Sequence, residues 1–317
     1  MPTQRHSRFL QVMNRMKALL GLALLLALSA GASWAARCTT TLDSRLMLEY
    51  ENYIKHLEST MPSRLAAGEL SWVPENARKE AAAQLQSGRQ VRWNVSDPAV
   101  NQRVAGWNGT VINWVGAIRI RGSRLEDLRE VLQDSSNCGA IYNPLMYDCR
   151  ARPLAGTPGS SFEVTFGFQN IYRAASVFPQ HFSFEVKGRT DYTDFVSNGK
   201  RALLAHTKSD QIRESDSGVP GRDDLLQPNH DHGIMWALNT YWRARQEGPD
   251  LYAEFEFVEL ARSAQEFTCK IGIIPIPKAV VSRVIDTLPP ESLELMLTAT
   301  KAECERRSSA RASGSAR

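Results

Sequence analysis

The 317-residue sequence lacks the short motifs by which common enzyme classes are recognised. It contains no G-x-S-x-G, no H-E-x-x-H, no P-loop and no glycine-rich dinucleotide turn. It also lacks a C-x-x-C pair, which removes the usual signature of zinc ribbons and thioredoxin-like chemistry. No motif therefore predicts a reaction, no cofactor is expected, and whether the protein is an enzyme stays open.

An excess of charge is also lacking once residues 1–35 are set aside. Those residues resemble a secretory leader, because four basic side chains precede the apolar run ALLGLALLLALSAG and small residues, Ser33 and Ala35, occupy the positions that a signal peptidase reads. Cleavage after Ala35 leaves 34 basic and 34 acidic residues. This near-neutral balance argues against a nucleic-acid partner.

Long apolar runs are lacking too. The run from Ala18 to Leu28 falls short of the roughly 20 residues that a spanning helix needs, although an uncleaved membrane anchor remains an alternative. Cys38 follows Arg37, where a bacterial lipid-attachment site needs a small residue. We therefore expect a secreted or periplasmic protein.

The five cysteines all lie after the leader, and an oxidising compartment favours disulfides over metal clusters. Cys138 and Cys149 bracket a short loop and are the predicted pair. Cys38, Cys269 and Cys304 leave an odd cysteine, and the sequence does not indicate which one is free.

Residues 36–104 are predicted to form a helical extension and a linker. Apolar side chains recur at helical spacing from Thr41 to Thr60, and Glu75–Gln86 is a second helix-forming segment. An α+β region, residues 105–305, follows. Within it the pattern predicts about six antiparallel strands, with one helix near the front and one at the end.

The first of these strands runs from Trp107 to Gly122. A helix follows at once, and Ser123 and Glu126 are predicted to form its capping box. At the other end of the region, Pro290 is expected in the first turn of the terminal helix. The sheet-facing stripe of that helix is predicted to contain Leu293, Met296, Leu297, Thr300 and Cys304. Residues 306–317 are predicted to be a basic disordered tail, with transient contact to an anionic membrane surface as the functional alternative.

The segment from Gly233 to Leu260 alternates large apolar and polar side chains on both arms of a turn, as an antiparallel strand pair does. Its apolar face carries Ile234, Trp236, Leu238, Trp242, Phe255 and Phe257. Its polar face carries Asn239, Tyr241, Arg243, Glu254 and Glu256. An outward polar face would hold ordinary cross-strand pairs, whereas an inward one would make Arg243 a ligand-orienting group. We favour the outward orientation, because the opposite face is more apolar.

A polar loop before this hairpin contains side chains of metal-ligating type. They are Asp223, Asp224, His230, Asp231 and His232. Their spacing is not that of a known closed site, and a hydrated polar loop is the favoured interpretation, so no metal is predicted.

Four segments together resemble the helix-grip fold of the START-like superfamily, which includes polyketide cyclases and lipid transport proteins. They are WNGTVINWVGAIRIRGSRLEDLREVLQD, HGIMWALNTYWRA, YAEFEFVELAR and IDTLPPESLELMLTAT. The likeness covers about residues 105–303 and is closest to secreted bacterial members. It implies a curved antiparallel sheet wrapped around the C-terminal helix, with an apolar cavity between them.

The resemblance implies that a hydrophobic small molecule or lipid is bound in that cavity. The apolar candidates for its lining are Trp114, Ile118, Phe166, Phe168, Phe184, Trp236, Leu238, Phe255, Leu293 and Leu297. The polar candidates are Tyr241, Arg243 and Glu254. Two alternatives remain: an envelope or interaction module with a filled core, and a cyclase or aromatase that uses the polar candidates. The oligomeric state is left open.

Overall fold

The computed structural model describes residues 39–156, 159–172, 180–221, 223–264, 270–271, 274–275 and 278–314. The leader, Cys38, Cys269 and residues 315–317 lie outside this set, so the predictions made for them stay predictions. Among the described helices, none combines the length and the apolar composition that crossing a bilayer requires.

The elements follow one another in this order. The N-terminal half contains β1 (Thr40–Thr41), α1 (Ser44–Ala67), α2 (Glu75–Gln86), β2 (Val91–Asn94), α3 (Pro98–Ala105), β3 (Gly109–Ile120), α4 (Leu125–Gln133), α5 (Cys138–Ile141) and β4 (Met146–Pro153). The C-terminal half contains β5 (Ser161–Tyr172), β6 (Gln180–Ser197), β7 (Lys200–Glu214), β8 (His230–Asp231), β9 (Ala237–Glu247), β10 (Asp250–Arg262), β11 (Lys270–Ile271), β12 (Ile274–Pro275) and α6 (Lys278–Gly314).

Eight of the strands form one antiparallel sheet, in the order β2-β3-β10-β9-β7-β6-β5-β4. The terminal helix α6 lies against one face of this sheet, which we call the inner face. The chain therefore has the predicted α+β helix-grip fold. The sheet has more strands than the pattern suggested, partly because β2 lies in the segment predicted to be helical. The predicted domain boundary at residue 105 stays a prediction.

Helix α6 packs closely against the sheet at Gly116 of β3. A Cβ atom at this position would lie 2.5 Å from Cδ1 of Leu297 and 3.1 Å from Cδ2 of Leu293. Leu293, Leu297, Thr300 and Cys304 are fully buried, so the predicted stripe of α6 is confirmed. The missing side chain of one strand residue thus fixes where the helix sits.

The other face of the sheet, here called the outer face, is covered by α1 and α3. Leu46, Tyr50 and Ile54 of α1 are buried in one cluster with Trp236 and Tyr241. Both faces of the central strands are therefore buried, which explains why β10 contains few exposed residues.

Three local predictions at helix ends are wrong. Helix α4 starts one residue later than expected, so the Asp127 carboxylate, rather than that of Glu126, accepts a hydrogen bond from the backbone N–H of Arg124. Glu126 pairs with Arg201 instead. Pro290 lies inside α6 with Pro289 and does not begin a helix. The packing of the stripe against Gly116 outweighs the local preference of proline for a first turn.

The third wrong prediction concerns the basic C-terminal segment. Its composition predicts disorder, but the described part, residues 306–314, is helical. Arg307 pairs with Asp134, and Nη1 of Arg311 lies 2.5 Å from Oδ1 of Asp127, so both arginines bind carboxylates beside α4. These ion pairs hold the last turns of α6 in place.

Candidate functional site

Two neighbouring chambers lie between the inner face of the sheet and the helices that cover it. The larger has a volume of about 160 Å³ and the smaller a volume of about 100 Å³. Phe168, Leu238, Thr240 and Phe255 line both chambers, so the two spaces meet at the middle of the sheet. We call this pair of spaces the two-chamber cavity. The core on this side of the sheet is therefore not completely filled.

The larger chamber lies between α4, α5 and strands β4 to β7, β9 and β10. Its apolar walls include Val131, Tyr142, Phe162, Phe166, Tyr192 and Trp242. A disulfide between Cys138 and Cys149 joins α5 to β4 at this wall, with the two Cα atoms 6.0 Å apart. The predicted pairing is confirmed, and Cys304 is free and buried.

The smaller chamber lies at the end of the cavity near Pro289 of α6. Its apolar walls include Ile112, Phe182, Phe184, Met235, Phe257 and Leu293. Its polar lining consists of Thr240, Glu259 and Ser292. Among the described lining residues of this chamber, Glu259 is the one that ionises.

The position of Glu259 follows from strand register. Glu259 is paired with Leu238 of β9 and Ile112 of β3, and both of these side chains line the same chamber. Burial raises the pKa of the Glu259 carboxyl to about 8. The side chain still retains some accessible surface, because it borders empty space rather than packed atoms. The group is therefore desolvated and yet reachable from within the cavity.

The sequence-predicted ligand residues fall into three groups. Those that line the two-chamber cavity are Phe166, Phe168, Phe184, Leu238, Phe255 and Leu293. Those that belong to the same apolar core but do not line the chambers are Trp114, Ile118 and Leu297. Those that the structure places away from the cavity, on the outer face, are Trp236, Tyr241, Arg243 and Glu254.

We expected the polar face of the hairpin to face solvent, and this prediction is wrong. The polar face does not face the cavity either. It lies under α1, and only 3% of Arg243 is exposed. Nε of Arg243 lies 2.9 Å from Glu254 and Nη1 lies 2.6 Å from Glu256. Arg64 of α1 approaches Glu256 to 3.3 Å. The expectation assumed that the side of the sheet away from the terminal helix would be solvated, but a second helical layer covers it.

The paired charges perturb one another. Burial alone would raise the pKa of Glu256, but the guanidinium groups of Arg243 and Arg64 hold it below its usual range. Trp72 and Tyr252 both donate hydrogen bonds to Glu254, at 2.6 Å and 2.5 Å. Arg243 and both glutamates bind protein partners, but Nη2 of Arg243 is buried without a hydrogen-bond partner among the described residues. Because the network lies on the outer face, Arg243 and Glu254 do not contact a ligand in the two-chamber cavity.

Four of the five candidate metal ligands of the polar loop, Asp224, His230, Asp231 and His232, have protein partners. Asp231 accepts hydrogen bonds from the backbone N–H of Gly233 and from Nε1 of Trp236, both at 2.8 Å. Nδ1 of His232 lies 3.1 Å from Glu214. Burial raises the pKa of Asp231 to about 7. Within the described part of the chain, no three His, Cys, Asp or Glu side chains are arranged to hold a metal ion.

Sequence reasoning missed several cavity residues, above all Glu259. The signal was present, since Phe255, Phe257 and Glu259 follow one another at period two and must share a face. The predicted apolar face ended at Phe257 and did not include Glu259. Ile112 also lines the smaller chamber and was not among the predicted lining residues.

The fold and the cavity together define a class: the chain has a START-like helix-grip fold. No protein-family model matches the sequence, and neither does any curated protein. Among solved structures, the chain is similar to the Zhui aromatase/cyclase from Streptomyces, with 13% identity, a TM-score of 0.38, and coverage of 62% of this chain and 95% of that chain.

Two further solved structures carry lipid-transfer or STARD names. Human STARD10 shows 10% identity and a TM-score of 0.33, over 68% of this chain and 82% of that chain. A STAR-related lipid transfer protein from Xanthomonas axonopodis shows 10% identity and a TM-score of 0.34, over 66% of this chain and 98% of that chain. At such low similarity, what this chain binds has to be inferred from its own cavity.

Proposed function

We propose that the protein binds a hydrophobic small molecule or single-chain lipid in the two-chamber cavity. The observation that carries the proposal is unfilled volume, about 160 Å³ and about 100 Å³, walled mainly by aromatic and aliphatic side chains. In another protein, a dry apolar cavity of about 150 Å³ binds benzene. The larger chamber is therefore sufficient for one ring.

Cavity size limits the class of ligand. Sites for drug-sized molecules have volumes of roughly 300–1,000 Å³. The two chambers together fall just short of this range, so a two-chain phospholipid does not fit unless the sheet and α6 move apart. A ligand with one or two rings, or with one chain of about eight carbons, fits the chambers as they stand.

The affinity should be weak. Each buried CH₂ group contributes about 0.8 kcal/mol, so a chain of about eight carbons gains roughly 6 kcal/mol, and association opposes this with several kcal/mol of lost freedom. The net binding free energy is therefore expected to be about 4 kcal/mol at most, which corresponds to a Kd on the order of 1 mM or weaker.

We also propose that the protein works outside the cytoplasm. Residues 1–35 have the composition of a secretory leader, and a disulfide lies in the wall of the larger chamber. Oxidising compartments are where such bonds persist. N-terminal sequencing of protein from a secretion-competent host tests this, with Ala36 expected as the first residue.

The binding proposal is tested by filling the cavity. Leu238 lines both chambers, and Leu204 is a half-buried leucine of the outer face, on the neighbouring strand β7. The variants Leu238→Phe and Leu204→Phe add the same atoms on opposite faces of the sheet. Binding of 1-octanol and toluene is measured by headspace gas chromatography over wild type and both variants, and native mass spectrometry of freshly isolated protein records any retained ligand.

Leu238→Phe is expected to weaken binding of both probes at least fivefold, while Leu204→Phe leaves it unchanged within twofold. Thermal unfolding of both variants confirms that they remain folded. Wild type that takes up neither probe and retains no molecule would contradict the proposal and favour an interaction module.

A further inference from the structure

Strand β10 presents three glutamates, and only one of them lies on the inner face. Glu254 and Glu256 point to the outer face, where Arg243 binds both. Glu259 points into the smaller chamber between Leu238 and Ile112. Among the described residues, no side chain forms an ion pair or hydrogen bond with Glu259.

A desolvated carboxyl group with no hydrogen-bond partner among the described residues is unusual, because leaving a buried polar group unsatisfied is destabilising. Thr240 lies in the same chamber wall and brings a hydroxyl group. The remaining described walls are apolar apart from Ser292. This arrangement, a few polar groups inside an apolar site, is the one that orients a ligand.

Resting on the proposed function, we infer that Glu259 is the specificity-determining residue of the cavity. Its partner is a neutral apolar ligand that carries a hydroxyl group, placed in the smaller chamber and hydrogen-bonded to the carboxyl. The apolar remainder of the ligand occupies the larger chamber.

The electrostatics favour a neutral partner. Burial raises the pKa of Glu259 to about 8, so the carboxyl is largely protonated at neutral pH and can both donate and accept a hydrogen bond. An anionic ligand would find no positive charge among the described lining residues of the smaller chamber. A cationic ligand would lose its hydration in an apolar site. Attraction to one carboxylate offsets that cost only when the geometry is good.

The test compares two probes that differ in one group. 1-Octanol and 1-chlorooctane share a chain length, but chlorine does not donate a hydrogen bond. Their uptake is measured by headspace gas chromatography over wild type, Glu259→Leu and Glu259→Gln. Glu163→Gln serves as a matched control, because it removes an exposed carboxylate on β5 that pairs with Arg152 outside the cavity. Calorimetric titration with octylammonium adds a cationic probe.

In wild type and Glu163→Gln, the octanol-to-chlorooctane affinity ratio is expected to be equal. In Glu259→Leu the ratio should fall at least fivefold, as expected when one hydrogen bond is lost, and Glu259→Gln should keep most of it because an amide also donates and accepts.

An unchanged ratio in Glu259→Leu overturns the inference, while uptake of both probes would leave the binding function standing. If octylammonium binds wild type more tightly than octanol does and Glu259→Gln abolishes this, the ligand class is cationic and the neutral assignment is overturned. If no probe binds any variant, the binding function fails and the inference fails with it.

Discussion

At the residue scale, the charge environment of a side chain on β10 depends on which face of the sheet it occupies, and even-numbered and odd-numbered residues occupy opposite faces. Glu254 and Glu256 share a face with Arg243 and are compensated, whereas Glu259 shares a face with Phe255 and Phe257 and is not. Because side chains alternate along a strand, neighbouring glutamates of one strand end up in environments that move their pKa values in opposite directions. The same residue type therefore serves stability on one face and candidate recognition on the other.

Arg243→Met tests the structural role of the outer-face network. Removing the guanidinium leaves Glu254 and Glu256 buried without their main counter-charge, and we expect a loss of about 3–5 kcal/mol in the free energy of unfolding at pH 7. The loss should shrink toward pH 5, because the uncompensated carboxyls can then take up protons. Urea denaturation at the two pH values measures both effects.

A matched control for this variant is Arg119→Met. Arg119 lies on the adjacent strand β3 and pairs with Asp250 at 3.1 Å, but both side chains are partly exposed. Solvent screens such a pair, so the expected loss is below about 1 kcal/mol. Equal losses in the two variants would show that burial of the Arg243 network carries no extra stability.

At the element scale, the contact between α6 and β3 depends on Gly116. Gly116→Val introduces a side chain that suits a strand but collides with Leu293 and Leu297. We expect overpacking to lower the free energy of unfolding by about 1–3 kcal/mol. The affinity for octanol should also change, because Leu293 lines the smaller chamber. The control is Thr193→Val on the exposed part of β6, which should leave the free energy of unfolding and the octanol affinity unchanged. Differential scanning calorimetry and octanol uptake measure the two effects, and wild-type values for both would contradict this role of Gly116.

The sequence predicts elements better than it predicts layers. Period-two alternation correctly indicates β9 and β10, and the spacing of Leu293, Leu297 and Thr300 correctly indicates the buried stripe of α6. It cannot show that α1 covers the outer face, because that contact joins residues far apart in the chain, such as Tyr50 and Val258, which are 208 positions apart. For that reason the sequence makes Arg243 resemble a surface residue.

The same limit applies to the candidate site. Aromatic residues at alternating positions identify one wall of the cavity, but unfilled volume is a property of how several walls meet. Cys138 and Cys149 could be paired from their spacing, whereas their position in the wall of the larger chamber depends on where α5 packs. Glu259 appears as an interruption of an apolar pattern until strand register shows what surrounds it.

At the scale of the whole molecule, two buried carboxyls and one histidine make stability fall as pH rises. The folded-state pKa is about 8 for Glu259 and about 7 for Asp231, both raised by burial above the unfolded values near 4. Between about pH 4 and pH 8 the folded protein therefore binds more protons than the unfolded chain. For His232, burial opposes protonation, but Glu214 raises the pKa above its ordinary value, so its contribution is also present at low pH and is lost as pH rises.

We therefore expect the free energy of unfolding to be higher at pH 5.5 than at pH 8, by a few kcal/mol. Glu259→Gln should reduce this difference, because a neutral amide replaces the titrating carboxyl, and it should stabilise the protein most at pH 8. Asp231→Asn should act in the same direction, since its remaining oxygen can still accept from Gly233 and Trp236. Urea denaturation at pH 5.5, 6.5 and 8 measures the differences. A wild-type profile that rises with pH would show that these carboxyls ionise freely, and the desolvated state of Glu259 within the cavity would then be wrong.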